Sequence, residues 1–155
     1  MNILIAYASQ YGSTEKCALK LSQYLSDKAD ILNLGKEKKI DLAKYDTVII
    51  GSNIMAGKIN QKVKKFYETN LNELFNKKVG IFICAGNTEF ADKEITDNFP
   101  AELLDKAVAK GYFGYEYNLE KMNFLFKAIV KKISKITQST SNILEDNIKE
   151  FAGKF

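Results

Sequence analysis

Apolar residues along this chain follow two rhythms, and the alternation between them lays out the elements. Unbroken runs at about 2–8, 47–52 and 79–85 are apolar on both alternating faces, as strands covered on both sides of a parallel sheet must be. Between them, Cys17, Ala18, Leu21 and Leu25 recur at three- and four-residue spacing and predict a helix over about 13–27. Ile59, Val63, Phe66 and Tyr67 predict another that reaches about residue 69. Ala29–Leu34 reads as a short second strand, followed by a polar, lysine-rich connection to Lys44, and Ile54–Lys58 reads as a loop. Ala107–Tyr117 reads as a fifth strand running into an aromatic turn. The segment 119–136 then predicts a strongly amphipathic helix, with Leu119, Met122, Leu125, Phe126, Ile129, Val130, Ile133 and Ile136 on one side. Lys121, Lys127, Lys131, Lys132 and Lys135 occupy the other, with Phe124 among them. A last helix covers about 143–152, for which Asn142 and Glu145 offer a capping box.

Strands alternating with helices at this spacing predict one α/β domain over 1–155, a parallel sheet with helices on both faces. In a 2-1-3-4-5 strand order, the loops after the first, third and fourth strands meet at one edge, where a ligand binds beyond the strand ends. All three of those loops carry glycine: Gly12, Gly57 and Gly86.

The first loop is the most informative. Ser9-Gln-Tyr-Gly-Ser-Thr14 offers the three aliphatic hydroxyls of Ser9, Ser13 and Thr14 and a glycine, and it opens directly into a helix. The first helical turn leaves N–H groups without partners, so an oxyanion there gains hydrogen bonds and the positive end of the helix dipole. The spacing is neither G-x-x-x-x-G-K-S/T nor G-x-G-x-x-G. It resembles the flavodoxin signature, Ser/Thr-x-Thr-Gly-x-Thr, with Tyr11 in place of the family's middle threonine. Flavodoxin is among the proteins from which the switch-point rule was drawn, so rule and resemblance are not independent.

The resemblance implies a flavodoxin-like three-layer sandwich holding FMN. On it, Ser9, Gln10, Tyr11, Gly12, Ser13 and Thr14 take the phosphate, and the flavin ring lies between Asn53, Ile54, Met55, Ala56, Gly57 and Lys58 on one side and Ala85, Gly86, Asn87, Thr88 and Phe90 on the other. Gly57 is implied as the site of a peptide rotation toward the flavin. The chain has no Trp, so Met55, Tyr11, Phe90 and Tyr115 are left as alternatives for packing on the ring. A receiver domain shares the strand order but needs acidic residues after the first strand and an Asp ending the third. Ala8-Ser9-Gln10 and Gly51-Ser52 stand there instead.

Composition narrows the chemistry. There is no histidine, which removes Ser-His-Asp and Cys-His catalysis and makes zinc ligation improbable. Any chemistry is then expected from a bound cofactor. Cys17 and Cys84 are expected buried and reduced. Lys or Asp interrupts every apolar stretch, so the expectation is a cytoplasmic protein without a membrane span. Nucleic acid is not expected as a partner.

An extra helix at about 119–136 is foreign to a minimal flavodoxin and is similar to the insertion of the flavodoxin-type, menaquinone-dependent protoporphyrinogen dehydrogenases. So is the segment Tyr45–Lys58 that precedes a basic helix. That likeness implies an enzyme passing electrons from a porphyrinogen to a quinone. The aromatic turn Tyr112–Tyr117 lacks that family's arginines. The broader expectation is FMN-dependent electron transfer, as by a non-enzymatic carrier between protein partners, and the porphyrinogen-to-quinone enzyme is its alternative. The lysines of 119–136 less Glu120 equal the +4 net charge of the whole chain, whose pI is near 8.9. Electron-carrier flavodoxins are typically acidic, so this basic helix suits an anionic membrane surface or an acidic partner. Peripheral placement at the inner face of the membrane is the corresponding expectation.

Overall fold

The strand Ile3–Ala8 (β1) is buried at all six of its positions, and the rest of the chain packs around it. In the computed structural model, which describes residues 1–37, 39–134 and 138–155, β1 pairs in parallel with β2 (Ala29–Asn33) and with β3 (Thr47–Met55). A two-residue strand β4 (Lys58–Ile59) folds back on the end of β3. Beyond β3 lie β5 (Lys78–Cys84) and β6 (Ala107–Tyr112), both parallel, in the order β2-β1-β3-β5-β6. Without the short β4 this is the 2-1-3-4-5 order expected from the sequence.

Helices cover both faces. On one, α1 (Ser13–Tyr24) and a C-terminal helix over Glu145–Ala152 pack on Ile3, Ile5, Tyr7, Ile49, Phe82 and Phe113. On the other, α2 (Gln61–Leu74), α3 (Ala91–Asn98) and α4 (Ala101–Lys106) pack on Leu4, Ala6, Val48, Ile50, Ile81 and Ile83. Alternate residues of each strand thus feed two cores, which is why the strands read as continuous apolar runs. Gly51 is required inside β3 because a Cβ there would overlap the Phe82 ring.

The structure corrects the sequence reading in several places. Ile54–Lys58 is not a loop: β3 continues to Met55 and turns through Ala56 (φ 49°) and Gly57 (φ 73°) into β4. Two left-handed residues are the signature of a tight hairpin turn whose twist matches its strands. α2 runs on to Leu74, past a non-helical Asn70 whose side chain donates to the Phe66 carbonyl. The fifth strand stops at Tyr112, and Gly114–Tyr117 forms β7, which pairs antiparallel with β8 (Thr140–Ile143). Between these two strands, α5 covers Phe124–Ser134, and residues 118–122 form a turn instead of the first helical turns expected. The residue Asn123 brings its side chain to the Phe126 N–H and so starts the helix later. Lys135, Ile136 and the side chain of Ile133 lie outside the described residues.

The predicted apolar stripe is divided accordingly. Leu119 and Met122 are buried from the turn, while Leu125 and Ile129 are exposed on the helix. The C-terminal helix α6 (Glu145–Ala152) also lacks the capping box, since Leu144 is its N-cap and Asn142 pairs with Tyr115 in the small sheet. Glu145 bonds Lys20 and Tyr24 instead.

Candidate functional site

Parallel strands in register bring their carboxyl ends together, and here Ala8 stands beside Ser52, and Asn53 beside Cys84. The loops 9–14, 53–58 and 85–90 therefore share one edge of the sheet, as the sequence predicts.

In the first loop Gly12 is left-handed (φ 96°) at the N-cap of α1 and has no side chain to cap it. Its N–H donates to Ser9 Oγ at 2.9 Å, which draws the loop into a closed turn. Ser13 Oγ accepts from the Glu116 N–H at 3.1 Å. Thr14 is fully buried, and its Oγ1 has no hydrogen-bond partner among the described residues; the buried Tyr11 hydroxyl has none either. Behind Thr14, Cys17 and Cys84 are both buried and free of disulfide. The hydrogen bond to Cys17 and burial push the Cys84 thiol well above its ordinary range, so it is an inert apolar wall.

The second loop is the Ala56–Gly57 hairpin. Ser52 Oγ accepts from the Asn60 N–H at 2.9 Å, and Asn60 Nδ2 reaches Asn53 Oδ1 at 3.2 Å. Asn98 holds the turn itself: its Nδ2 donates to the Gly57 carbonyl at 2.9 Å, and its Oδ1 accepts from the Ile59 N–H at 3.0 Å. Met55 is half-buried and Gly57 is open to solvent, with space where a Cβ would stand.

The third loop is tied at its root and free at its tip. Tyr112 donates its hydroxyl to the Ala85 carbonyl at 2.7 Å, and burial pushes that phenol up to about 12. Residues 86–90 are exposed, Phe90 at 51%. Asn87 Oδ1 accepts from the Glu89 N–H, closing the short helical turn there.

Four residues that sequence reasoning left out of the site come from β7 and from the inserted segment that follows it. The Tyr117 hydroxyl covers Gly86 so closely that a Cβ there would collide with it. The Lys121 ammonium lies 3.3 Å from where a Cβ would stand on Gly12. Glu116 pairs with Lys16 at 2.7 Å, and that hydrogen bond holds its carboxyl below the usual range. Phe126 meets Tyr11 edge-on at 5.9 Å. Of the four residues expected against a flavin ring, Tyr11 and Tyr115 are engaged with Phe126 and Tyr117, whereas Phe90 and Met55 keep exposed surface. Pattern reasoning placed Lys121 on a helix face; only the turn at 118–122 explains its actual position.

The donor set suits an oxyanion: free N–H groups of a helical first turn, a left-handed glycine, orphaned hydroxyls and one ammonium. Two cavities lie elsewhere. A groove of about 940 Å³ between the 34–44 connection and α2 is lined by Lys36, Lys39, Lys62, Lys65 and Phe66. A smaller one, about 320 Å³, lies at the opposite sheet edge beside Asn2, Lys28 and Tyr45.

The profile of the flavodoxin domain family matches residues 4–143 of this chain. No curated protein sequence matches it. Among solved structures, it is similar to the two-electron reduced flavodoxin of Megasphaera elsdenii, with 21% identity over 71% of this chain and 84% of that one, at a TM-score of 0.56. A flavoprotein of Lactobacillus acidophilus in complex with FMN is 20% identical over 74% of this chain and 91% of that one, at 0.53. The flavodiiron core of Synechocystis is 15% identical over 99% of this chain but 34% of its own length, at 0.58. The chain thus spans about a third of the flavodiiron proteins it matches. At these identities the likeness shows the fold.

Proposed function

The chain belongs to the flavodoxin domain family, and from that premise we propose that it binds FMN at the shared sheet edge and transfers electrons. The observation that carries this is the first loop, where a helix N-terminus, a left-handed Gly12 and the buried, unpartnered Thr14 hydroxyl converge. These residues fit a phosphate. On this reading Ser9, Gln10, Tyr11, Gly12, Ser13 and Thr14 hold the phosphate. The hairpin residues Asn53–Gly57 and the loop Ala85–Phe90, including Gly86, Asn87 and Thr88, flank the ring. Bound FMN would supply the redox chemistry of the site. The protein's part is to anchor the phosphate, and to close one wall with Tyr117 and the β7–β8 sheet.

Loading with FMN tests this directly. The protein should quench flavin fluorescence on binding, and Gly12→Leu combined with Thr14→Leu should abolish retention while circular dichroism stays native. Undiminished affinity in that variant refutes the assignment.

Two uses of the electrons remain to be separated. The broader reading is a carrier between protein partners. The narrower is a porphyrinogen-to-quinone oxidoreductase, and α5 favours it: Phe124, Leu125 and Ile129 are exposed beside Lys127, Lys131 and Lys132, a face suited to an anionic membrane surface where a quinone resides. Anaerobic mixing of the FMN-loaded protein with a porphyrinogen decides between them. Flavin bleaching coupled to porphyrin fluorescence, sustained by menaquinone, supports the oxidoreductase. A flavin that stays oxidised with porphyrinogen but accepts electrons from a reductase supports the carrier.

A further inference from the structure

We propose that Lys121, carried on the turn before α5, is the cation that recognises the phosphate of the cofactor, so that the inserted segment completes the binding site. This rests on the FMN reading above. The first loop holds no cation of its own from Ser9 to Thr14. Yet the Lys121 ammonium stands against the bare Cα of Gly12, 3.3 Å from where a Cβ would be. At φ 96° Gly12 adopts a backbone that other residues resist, and any side chain there would crowd the ammonium. One glycine thus makes room for the anion and for the lysine.

The turn is held in place on both sides of Lys121. Leu119 is 5% exposed and Met122 is 9% exposed, so two buried anchors flank the lysine. The Lys121 N–H donates to the Asn118 carbonyl at 3.1 Å, and the Glu120 N–H to Asn118 Oδ1 at 3.2 Å. The Leu119 N–H donates to Ser139 Oγ at 3.1 Å, tying the turn to the far end of the insertion. The backbone of Lys121 is thereby fixed, and its flexible stem has only to reach across to the loop.

The other charges near this turn are committed. Lys16 pairs with Glu116 at 2.7 Å, and Glu15 accepts the Tyr7 hydroxyl at 2.9 Å. Lys121 makes no ion pair within 4.0 Å among the described residues, and its charge acts on the Glu116 carboxyl only from beyond that distance. The Thr14 hydroxyl at the same helix N-terminus is fully buried and faces the Cys84 thiol.

The test compares two ligands that differ only by the phosphate. Dissociation constants for FMN and riboflavin are measured by flavin fluorescence in phosphate-free buffer at low and raised salt. The proteins are wild type, Lys121→Met, Lys121→Arg and, as a charge control on a remote helix, Lys106→Met. The expected result is FMN affinity weakened about tenfold or more by Lys121→Met, as for loss of a charged hydrogen bond, with riboflavin unaffected. Lys121→Arg should restore FMN affinity, and Lys106→Met should leave it unchanged. FMN bound equally by wild type and Lys121→Met overturns the proposal alone, as does an equal loss for both ligands, which would make the residue a structural prop. A wild-type protein that binds neither flavin overturns the FMN reading and this proposal together.

Discussion

Asn98 shows how much of this site depends on single side chains. Its amide donates to the carbonyls of Gly57 and Glu94 and accepts from Ile59, so one residue at the end of α3 fixes the turn of a hairpin from another part of the chain. Asn98→Ala should cost about 1–3 kcal/mol, because it strips backbone groups of their partners without changing the core. Amide exchange at Ile59 should quicken more than at β1, and hydrogen-exchange mass spectrometry reads that difference. Tyr7 and Tyr112 give a prediction in pH. Burial, with the Glu15 contact added for Tyr7, pushes both phenols up to about 12. Folding therefore favours the protonated phenols, and this stability is whole below about pH 10, the unfolded value. It should disappear as pH rises through about 12. Alkaline unfolding followed by tyrosinate absorbance should show these two phenols ionising only as the fold opens. Tyr112→Phe should lower stability at neutral pH and shallow the alkaline slope. None of these roles could be read from the sequence. The glycines of the three loops were visible because each lies within about five residues of the end of an apolar run. Asn98 and Lys121 act across the fold, at distances in sequence that no local pattern spans.

At the scale of elements, the five sheet strands were legible and the inserted segment was not, for one physical reason. A strand covered on both faces shows its burial in its own composition, whereas an amphipathic pattern states that one side is apolar without stating what covers it. Over 119–134 the apolar residues are shared between a buried turn, at Leu119 and Met122, and a helix whose Phe124 is 89% exposed. Spacing alone merges the two into one stripe. The small β7–β8 sheet that frames the insertion was likewise hidden, because Gly114–Tyr117 looks like the continuation of β6. The break is Gly114 itself, left-handed at φ 83°, where a Cβ would collide with the Asn142 carbonyl across the pair. Gly114→Ala should therefore separate β7 from β8 at a cost of about 2 kcal/mol or more, from left-handed strain and the clash. Limited proteolysis should then cut within 118–139, and FMN should bind less tightly than to wild type, while the five-stranded sheet persists by circular dichroism. Unchanged protease resistance would show that the Gly114 turn does not hold the insertion.

Across the whole molecule, charge is distributed as unevenly as the apolar surface. All 23 basic residues are lysines, and no acidic residue occurs between Lys121 and Leu144. That same stretch carries exposed Phe124, Leu125 and Ile129. No helix among the described residues is long and apolar enough to cross a membrane, so any membrane contact of α5 is made from the surface. Each lysine near an anionic leaflet contributes about 1 kcal/mol, falling within a Debye length. Lys127, Lys131 and Lys132 together should then hold the protein on anionic vesicles only when assisted by the apolar side chains beside them. The expected outcome in co-sedimentation is binding to anionic vesicles at low salt, release at raised salt, and none to zwitterionic vesicles. Phe124→Ser with Leu125→Ser should weaken binding by about tenfold or more at fixed salt, since complete burial of each apolar side chain contributes about 1.5–3 kcal/mol and half-burial of the pair already reaches that. Equal binding to both vesicle types removes the role given to the lysines, and binding to neither removes the membrane-surface reading and leaves an acidic protein as the partner to seek. Because the turn bearing Lys121 leads straight into α5, the experiment should be run with and without FMN. A surface that pulls α5, and Phe126 with it, away from Tyr11 would loosen the cofactor, and one that α5 meets with its outer face alone would not.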